Sequence, residues 1–181
     1  MDTSRRPLVT GTFRDHDAAD RAYNDFRTRG YADDDIHIMM SDETAKAYHN
    51  RHDAAVDEGS KALEGAGTGA TIGGSIGGVL GAIAGIGATV AFPGLGLAIA
   101  GPIAGALAGA GAGGATGSLV GALVGAGIPE DQAKTYESDL KDGGVVMGVH
   151  PRDDDHDYVA NRYNEYGASN VYAPGRATQA M

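Results

Sequence analysis

Leu8-Val9-Thr10-Gly11-Thr12-Phe13 near the start and Val145-Val146-Met147-Gly148-Val149 near the end are the two stretches that decide the fold. Each is short, apolar-rich and β-branched, the composition of a buried strand. Val9-Thr10-Gly11-Thr12 also resembles Val146-Met147-Gly148-Val149 residue by residue. Working outward from the first, Asp15 or Asp17 can cap a following helix. Ala18, Ala22, Tyr23 and Phe26 then fall at helical spacing, and Gly30 after Arg27 and Arg29 is a helix C-terminus. Ile36, Ile38 and Met40 alternate as a second strand.

The second stretch is followed by the same plan. Asp153 to Asp157 opens a helix carrying Tyr158, Val159, Tyr163 and Tyr166, Gly167 ends it, and Asn170 to Tyr172 forms a short last strand. Phe26 with Gly30 resembles Tyr163 with Gly167. Two βαβ halves of an internal repeat predict an α+β fold, a ferredoxin-like split βαβ/βαβ sheet of four strands with helices on one face.

The halves are separated by an unusual insert. Between Glu64 and Glu130 there is no charged residue and no histidine. Gly65, Gly69, Gly73, Gly77, Gly81 and Gly85 form one ladder of fourfold spacing, and Gly101, Gly105, Gly109, Gly113, Gly117, Gly121 and Gly125 form another. Residues four apart lie next to each other on one face of a helix. A face without side chains admits a second backbone very closely, as in the GxxxG pairing of membrane helices. Phe92-Pro93-Gly94-Leu95-Gly96, with Pro102 beyond, breaks the run. The expectation is a glycine-rich helical hairpin over about 70–91 and 101–127. The resulting division is 1–41, first half; 42–64, linker helix; 65–128, hairpin; 129–174, an extra helix (Pro129 to Lys141, ended by Gly143 and Gly144) plus the second half; 175–181, a disordered tail.

Glycine in a helix costs about 1 kcal/mol relative to alanine, so ladders of this length need close packing to offset on the order of 10 kcal/mol. Ile72, Ile76, Leu80, Ile83, Leu119, Leu123 and Val124 distinguish the insert from a polar flexible linker. Its length and lack of charge favour membrane insertion, while its Ala and Gly content and missing aromatic belt favour a soluble oligomer with a dry centre. The thirteen laddered glycines are therefore read as helix-packing, assembly positions, with a homo-oligomer and membrane lipid as the expected partners.

Composition excludes several classes of function. The 181 residues carry 24 acidic against 14 basic side chains, a net charge of -10 that argues against nucleic acid. Cysteine is absent, which removes thiol catalysis, disulfides and thiolate metal sites. The opening MDTSRRPLVTGTF lacks the apolar stretch of a signal peptide, so the expected location is the cytoplasm or the cytoplasmic face of the inner membrane. Gly109, Gly111 and Gly114 match G-x-G-x-x-G formally, but no strand precedes them and no acidic residue stands about twenty positions on. No G-x-S-x-G elbow activates a serine. His49 with His52, and His150 and His156 flanking Asp153, Asp154 and Asp155, are the alternative, a small-ligand or metal-binding module. Solvated acidic runs more often start helices or keep a chain soluble. His16 and His37 read as surface or strand-edge residues, and Tyr23, Tyr136, Tyr158, Tyr163 and Tyr166 as sheet-facing core. No catalytic residue and no cofactor is expected.

A family resemblance accompanies these residues. Val9-Thr10-Gly11-Thr12-Phe13, Gly30-Tyr31 before Asp35-Ile36, Pro93-Gly94-Leu95-Gly96, Ala100-Gly101-Pro102, Gly127-Ile128-Pro129-Glu130, Ala133, Tyr136 and Gly143-Gly144-Val145 resemble the bacterial general stress proteins, also called heat-induced or low-temperature-induced stress proteins. The resemblance covers nearly the whole chain. It implies expression under stress and often a membrane-protein label, and it implies no defined activity and no catalytic residues.

Overall fold

The structure, a computed structural model, describes residues 7–48, 90–92, 96–101, 119–152 and 154–175. Its first half is β1 (Val9–Phe13), α1 (His16–Thr28) and β2 (Ile36–Ser41), with helix α2 following at once over 42–48. Next come β3 (Val90–Phe92), β4 (Leu97–Ala100), α3 (Leu119–Gly125) and α4 (Glu130–Lys141). The second half is β5 (Val145–Val149), α5 (His156–Glu165) and β6 (Ser169–Tyr172). The sequence signals act locally as expected. Asp15 caps α1 by accepting from Asp17 N at 3.0 Å, and Gly30 and Gly167 follow α1 and α5 with φ of 91° and 75°. Pro129 stands at the N-cap of α4, one position before the first turn expected for it.

The fold class is α+β, built on a six-stranded antiparallel sheet in the order β3-β4-β2-β5-β1-β6. The two halves interleave. β1 pairs with β5, Val9 against Val149 and Phe13 against Val145, while β5 also pairs with β2, Ile36 against Val149. The helices of the two halves therefore meet in the core. The Phe26 ring of α1 and the Tyr163 ring of α5 lie 5.6 Å apart edge to face, and Phe13 approaches Tyr163 at the same distance.

The helices of the two halves, α1 and α5, share one face of the sheet as expected, and the helices α3 and α4 add a layer on the other face. Val9, Phe13, Ile36, Ile38, Met40, Val145, Met147 and Val149 pack with Ala22, Phe26, Val159 and Tyr163 of α1 and α5, and with Tyr48 of α2. Leu8, Met39, Leu97, Ile99 and Val146 pack on the other face with Leu119 and Leu123 of α3 and Ala133, Tyr136 and Leu140 of α4. Burial on both faces is why β1 and β5 are buried at every position; β5 carries no polar side chain, whereas β1 turns Thr10 and Thr12 towards α4.

The expected helical hairpin is corrected where it falls on described residues. Its turn region is a β-hairpin, with Val90 paired to Ile99 and Phe92 to Leu97, laid on the free edge of β2 through Ile38–Ala100 and Ser41–Leu97 pairs. The physical reason lies in side-chain size. Leu97 and Ile99 point to one face of the sheet and Ala98 and Ala100 to the other, a period of two inside an all-apolar run. Gly101, expected as the first rung of the second helical ladder, ends β4 instead. Its φ is +96°, and a β-carbon there would lie 2.5 Å from Ile36 O. The rest of the proposed linker helix beyond residue 48, the first ladder and the tail 176–181 lie outside the described residues.

The two readings of Gly101 make opposite predictions. In a helix, Gly101→Ala stabilises by about 1 kcal/mol. At this strand end it costs about 2–4 kcal/mol, from the left-handed backbone and the clash with Ile36 O. Gly125, in α3 with nothing within 4 Å of its absent side chain, tolerates alanine with no loss. Urea unfolding of both variants is expected to show Gly101→Ala destabilised and Gly125→Ala neutral or more stable.

Candidate functional site

Three of the thirteen ladder glycines are described. Gly101 belongs to the sheet, as above. Gly121 and Gly125 lie on α3, and their placement follows from helix geometry. Leu119 and Leu123 are buried in the interface with α4 and the sheet. Positions two along from these are turned by about 200°, so Gly121 and Gly125 face outward, and both are exposed. Val124 beside them is 44 % exposed, the one large exposed hydrophobic side chain among the described residues. The last two rungs thus form a bare, apolar helix face directed away from the core. Gly65, Gly69, Gly73, Gly77, Gly81, Gly85, Gly105, Gly109, Gly113 and Gly117 lie outside the described residues.

The helix that carries α3 on its flank is itself held by a buried polar network. α4 lies over β1, and the two threonines of β1 that face it have partners there. Tyr136 OH donates to Asn170 O at 3.0 Å, so the Thr10 hydroxyl, 2.6 Å away, donates to Tyr136. Burial pushes the Tyr136 phenol up to about 12 against the lowering effect of the Thr10 bond, keeping it neutral. Asp139, only 5 % exposed, accepts from Thr12 Oγ1 at 2.8 Å, Asn170 Nδ2 at 2.7 Å and Arg14 Nη2 at 3.3 Å. Asn170 supplies both of its contacts from a left-handed backbone with φ of 52°. The network joins β1, α4 and β6.

A second polar cluster ties α1 to α5. The Asp155 carboxylate takes a bidentate bond from Arg29 and a third from Tyr31 OH at 3.1 Å. The Arg29 hydrogen bond, with help from Tyr31, holds Asp155 below the usual carboxylate range. Burial, its largest cause, raises the Tyr31 phenol to about 12. The Arg29 guanidinium sits 3.8 Å over the Tyr158 ring, and that of Arg152 4.6 Å from the centre of the Tyr31 ring. Arg29, Arg152, Asp154 and Asp155 line an open cleft of about 540 Å³. Among the described residues two arginines face two aspartates there, and Arg29 is already committed to Asp155, so the arrangement braces two helix ends. Its partners stand more than 120 positions apart in the chain, and no local spacing announces them.

His150 and His156, the described members of the histidine set suggested for a metal, have separate partners. His150 meets His37 edge to face at 4.9 Å, whereas His156 Nε2 donates to Pro174 O at 2.7 Å. Asp155 is taken by Arg29 and Tyr31, and Asp153, His49 and His52 lie outside the described residues. Among the described residues, no three His, Cys, Asp or Glu side chains are grouped to hold a metal ion. His16 is half-buried, stacked on Tyr48 and donating to Gly143 O at 3.2 Å. His37 is 1 % exposed, which corrects the surface or edge reading, because the β3–β4 hairpin covers the edge of β2. Of the five helical tyrosines, Tyr23, Tyr136 and Tyr163 are buried, whereas Tyr158 and Tyr166 are half-buried and lie under the Arg162 guanidinium.

No known family matches the chain, and neither a curated protein nor a solved structure does.

The Asp139 network is structural, and its removal is expected to show as lost stability. Asp139→Ala leaves the Thr12 hydroxyl and the Asn170 amide without their acceptor, at a cost of about 2–3 kcal/mol. Arg14→Ala, from a side chain that is 68 % exposed, costs under about 1 kcal/mol. Denaturant midpoints of the two variants check the ranking.

Proposed function

We propose that this chain is a non-enzymatic stress-response protein that self-assembles, or associates with membrane, through its glycine-laddered region, carried on a ferredoxin-like split-βαβ domain. The observation that carries the reading is the outward face of α3. Gly121 and Gly125 leave it bare, Val124 is exposed upon it, and the opposite face is fixed by Leu119 and Leu123. A helix that buries one face against its own domain and leaves the other free of bulk has the form required for a second helix to approach closely. The order β6-β1-β5-β2, with every neighbour antiparallel, supports the split-βαβ reading of the domain, and β3–β4 adds to its edge.

The stress-response part rests on the resemblance of the residues quoted above. Non-enzymatic action is favoured because the buried carboxylates, Asp139 and Asp155, are both consumed in holding helices to the sheet or to each other. Among the described residues no helix is long and apolar enough to cross a membrane. The soluble assembly and the membrane-associated form, at the cytoplasmic face of the inner membrane, are therefore separated by experiment.

Cell fractionation, followed by sizing of the purified chain with and without detergent, tests the proposal. The wild type is expected as a high-order species or in the membrane fraction. Gly113→Leu and Gly125→Leu place bulk where backbones approach, an overpacking cost of about 1–3 kcal/mol per contact. Both are expected to lose the assembled or membrane-bound form while circular dichroism shows the α+β domain folded. Leu119→Val is expected to keep assembly and lose only modest stability. A wild type that is monomeric in plain buffer, with Gly125→Leu indistinguishable from it, removes the ladders as contact surfaces.

A further inference from the structure

We infer that His37 makes the junction of β2 with β4 an acid-weakened latch, so that falling pH detaches the β3–β4 hairpin from the sheet before the sheet itself unfolds. The inference concerns the sheet edge and does not depend on what the glycine ladders do.

His37 lies within β2, where its neighbour in the β5 register is Gly148. On its other side stands Gly101, placed so that a β-carbon there would come 3.0 Å from His37 Nδ1 and 3.1 Å from His37 Cα. The imidazole is thus seated between two strands that both present glycine beside it, and it is 1 % exposed. Among the described residues two titratable groups act on it. His150, just after β5, meets the ring edge to face at 4.9 Å, and Asp35, whose backbone carbonyl accepts from His150 N at 2.9 Å, precedes β2 in a 3-10 turn. Burial, reinforced by His150 and opposed by Asp35, lowers the His37 pKa to about 3. The closed hairpin therefore holds this ring neutral at pH values where a solvated histidine is charged.

Protonation requires that the ring reach water, and the least costly route is through β4. β5 is paired on both sides, to β1 and to β2, and contributes to both cores. β4 is likewise paired on both sides and contributes to both cores, but with its outer partner, the three-residue β3, it forms the rim of the described sheet. Partial opening falls on the least supported element. The sign follows from linkage. The open state binds a proton below about 6.5 and the closed state does not until about 3, so opening becomes easier as pH falls across that interval and gains nothing from further change above it.

Hydrogen exchange on the full chain, corrected for the intrinsic pH dependence of exchange, tests the latch. Amides of Ile99 and Ala100 are expected to open at lower free energy than those of β1 and β5. Their opening constant is expected to rise roughly 50-fold between pH 6.5 and 4.5. His37→Gln is expected to abolish that rise. His150→Gln is expected to keep most of it, because burial rather than the neighbouring ring is the larger cause. If His37→Gln does not fold, an NMR titration of the wild-type ring serves instead, with His37 expected neutral wherever the β4 amides remain protected. The inference is overturned by a pH-independent opening of β4, by β4 exchanging only with global unfolding, or by a His37 ring that titrates near 6.5 while β4 stays closed.

Discussion

The pairing of β1 with β5 is the constraint on which the other elements rest. It lays Val9 against Val149 and Phe13 against Val145, bringing the beginning and end of the described chain into the centre of one sheet. β2 and β6 find their places only against those two strands. The polar ties of β1 to α4 have the same long reach: Thr10 meets Tyr136 across 126 positions, and Thr12 meets Asp139 across 127. Closing so long a loop costs chain entropy before any contact returns it, although that cost grows only logarithmically with length. A large insert is therefore thermodynamically tolerable here, and its main penalty falls on folding speed. The interleaving also fixes the insert's exits, because β2 and β5 are hydrogen-bonded neighbours.

The two faces of the sheet solve different problems. Towards α1 and α5 the packing is aromatic and aliphatic, with Phe13, Phe26 and Tyr163 meeting edge to face, a geometry favoured by the ring quadrupoles. Towards α4, β1 offers threonines, and the hydroxyls need partners in a dry environment. Tyr136, Asp139 and Asn170 supply them. Gly144 allows the approach at the end of α4, since a β-carbon there would fall 2.9 Å from Asp139 O. Polar specificity thus sits where two layers must be placed in register, and apolar bulk sits where the two halves of the repeat simply fill space.

Much of the α+β domain was legible because its signals are local. Asp15, Gly30, Pro129, Gly143 and Gly167 mark ends through backbone chemistry that does not depend on what lies across the molecule. The β3–β4 hairpin was not legible. Leu97-Ala98-Ile99-Ala100 alternates only in size, and a reading based on polar against apolar residues sees an unbroken run there. Gly101 looked like a rung because fourfold spacing is cheap in a chain with 30 glycines. The second layer of helices was hidden for a related reason: Thr10 and Thr12 look like solvent-facing positions until Tyr136 and Asp139 are seen over them. The buried carboxylates were hidden too, since nothing near Asp139 or Asp155 in sequence separates them from the other acidic residues, and only distant partners do. Of the ladders, the spacing showed that Gly121 and Gly125 share a helix face, and which way that face turns is set by the burial of Leu119 and Leu123.

The rims of the sheet bear on how copies of this chain can meet. At one rim β3 is three residues long. At the other, β6 pairs with β1 through a register shift between Thr10 and Thr12 and contains Asn170 with its left-handed backbone. A long, flat, regular rim templates strand-by-strand polymerisation, and short or irregular rims suppress it. Among the described residues, neither end of this sheet offers the row of evenly spaced amides and carbonyls on which an amyloid-like stack could grow. The fold thereby separates two routes to association that an aggregation-prone apolar sequence would otherwise confuse, closing the cross-β route in the part of the chain that is richest in strands.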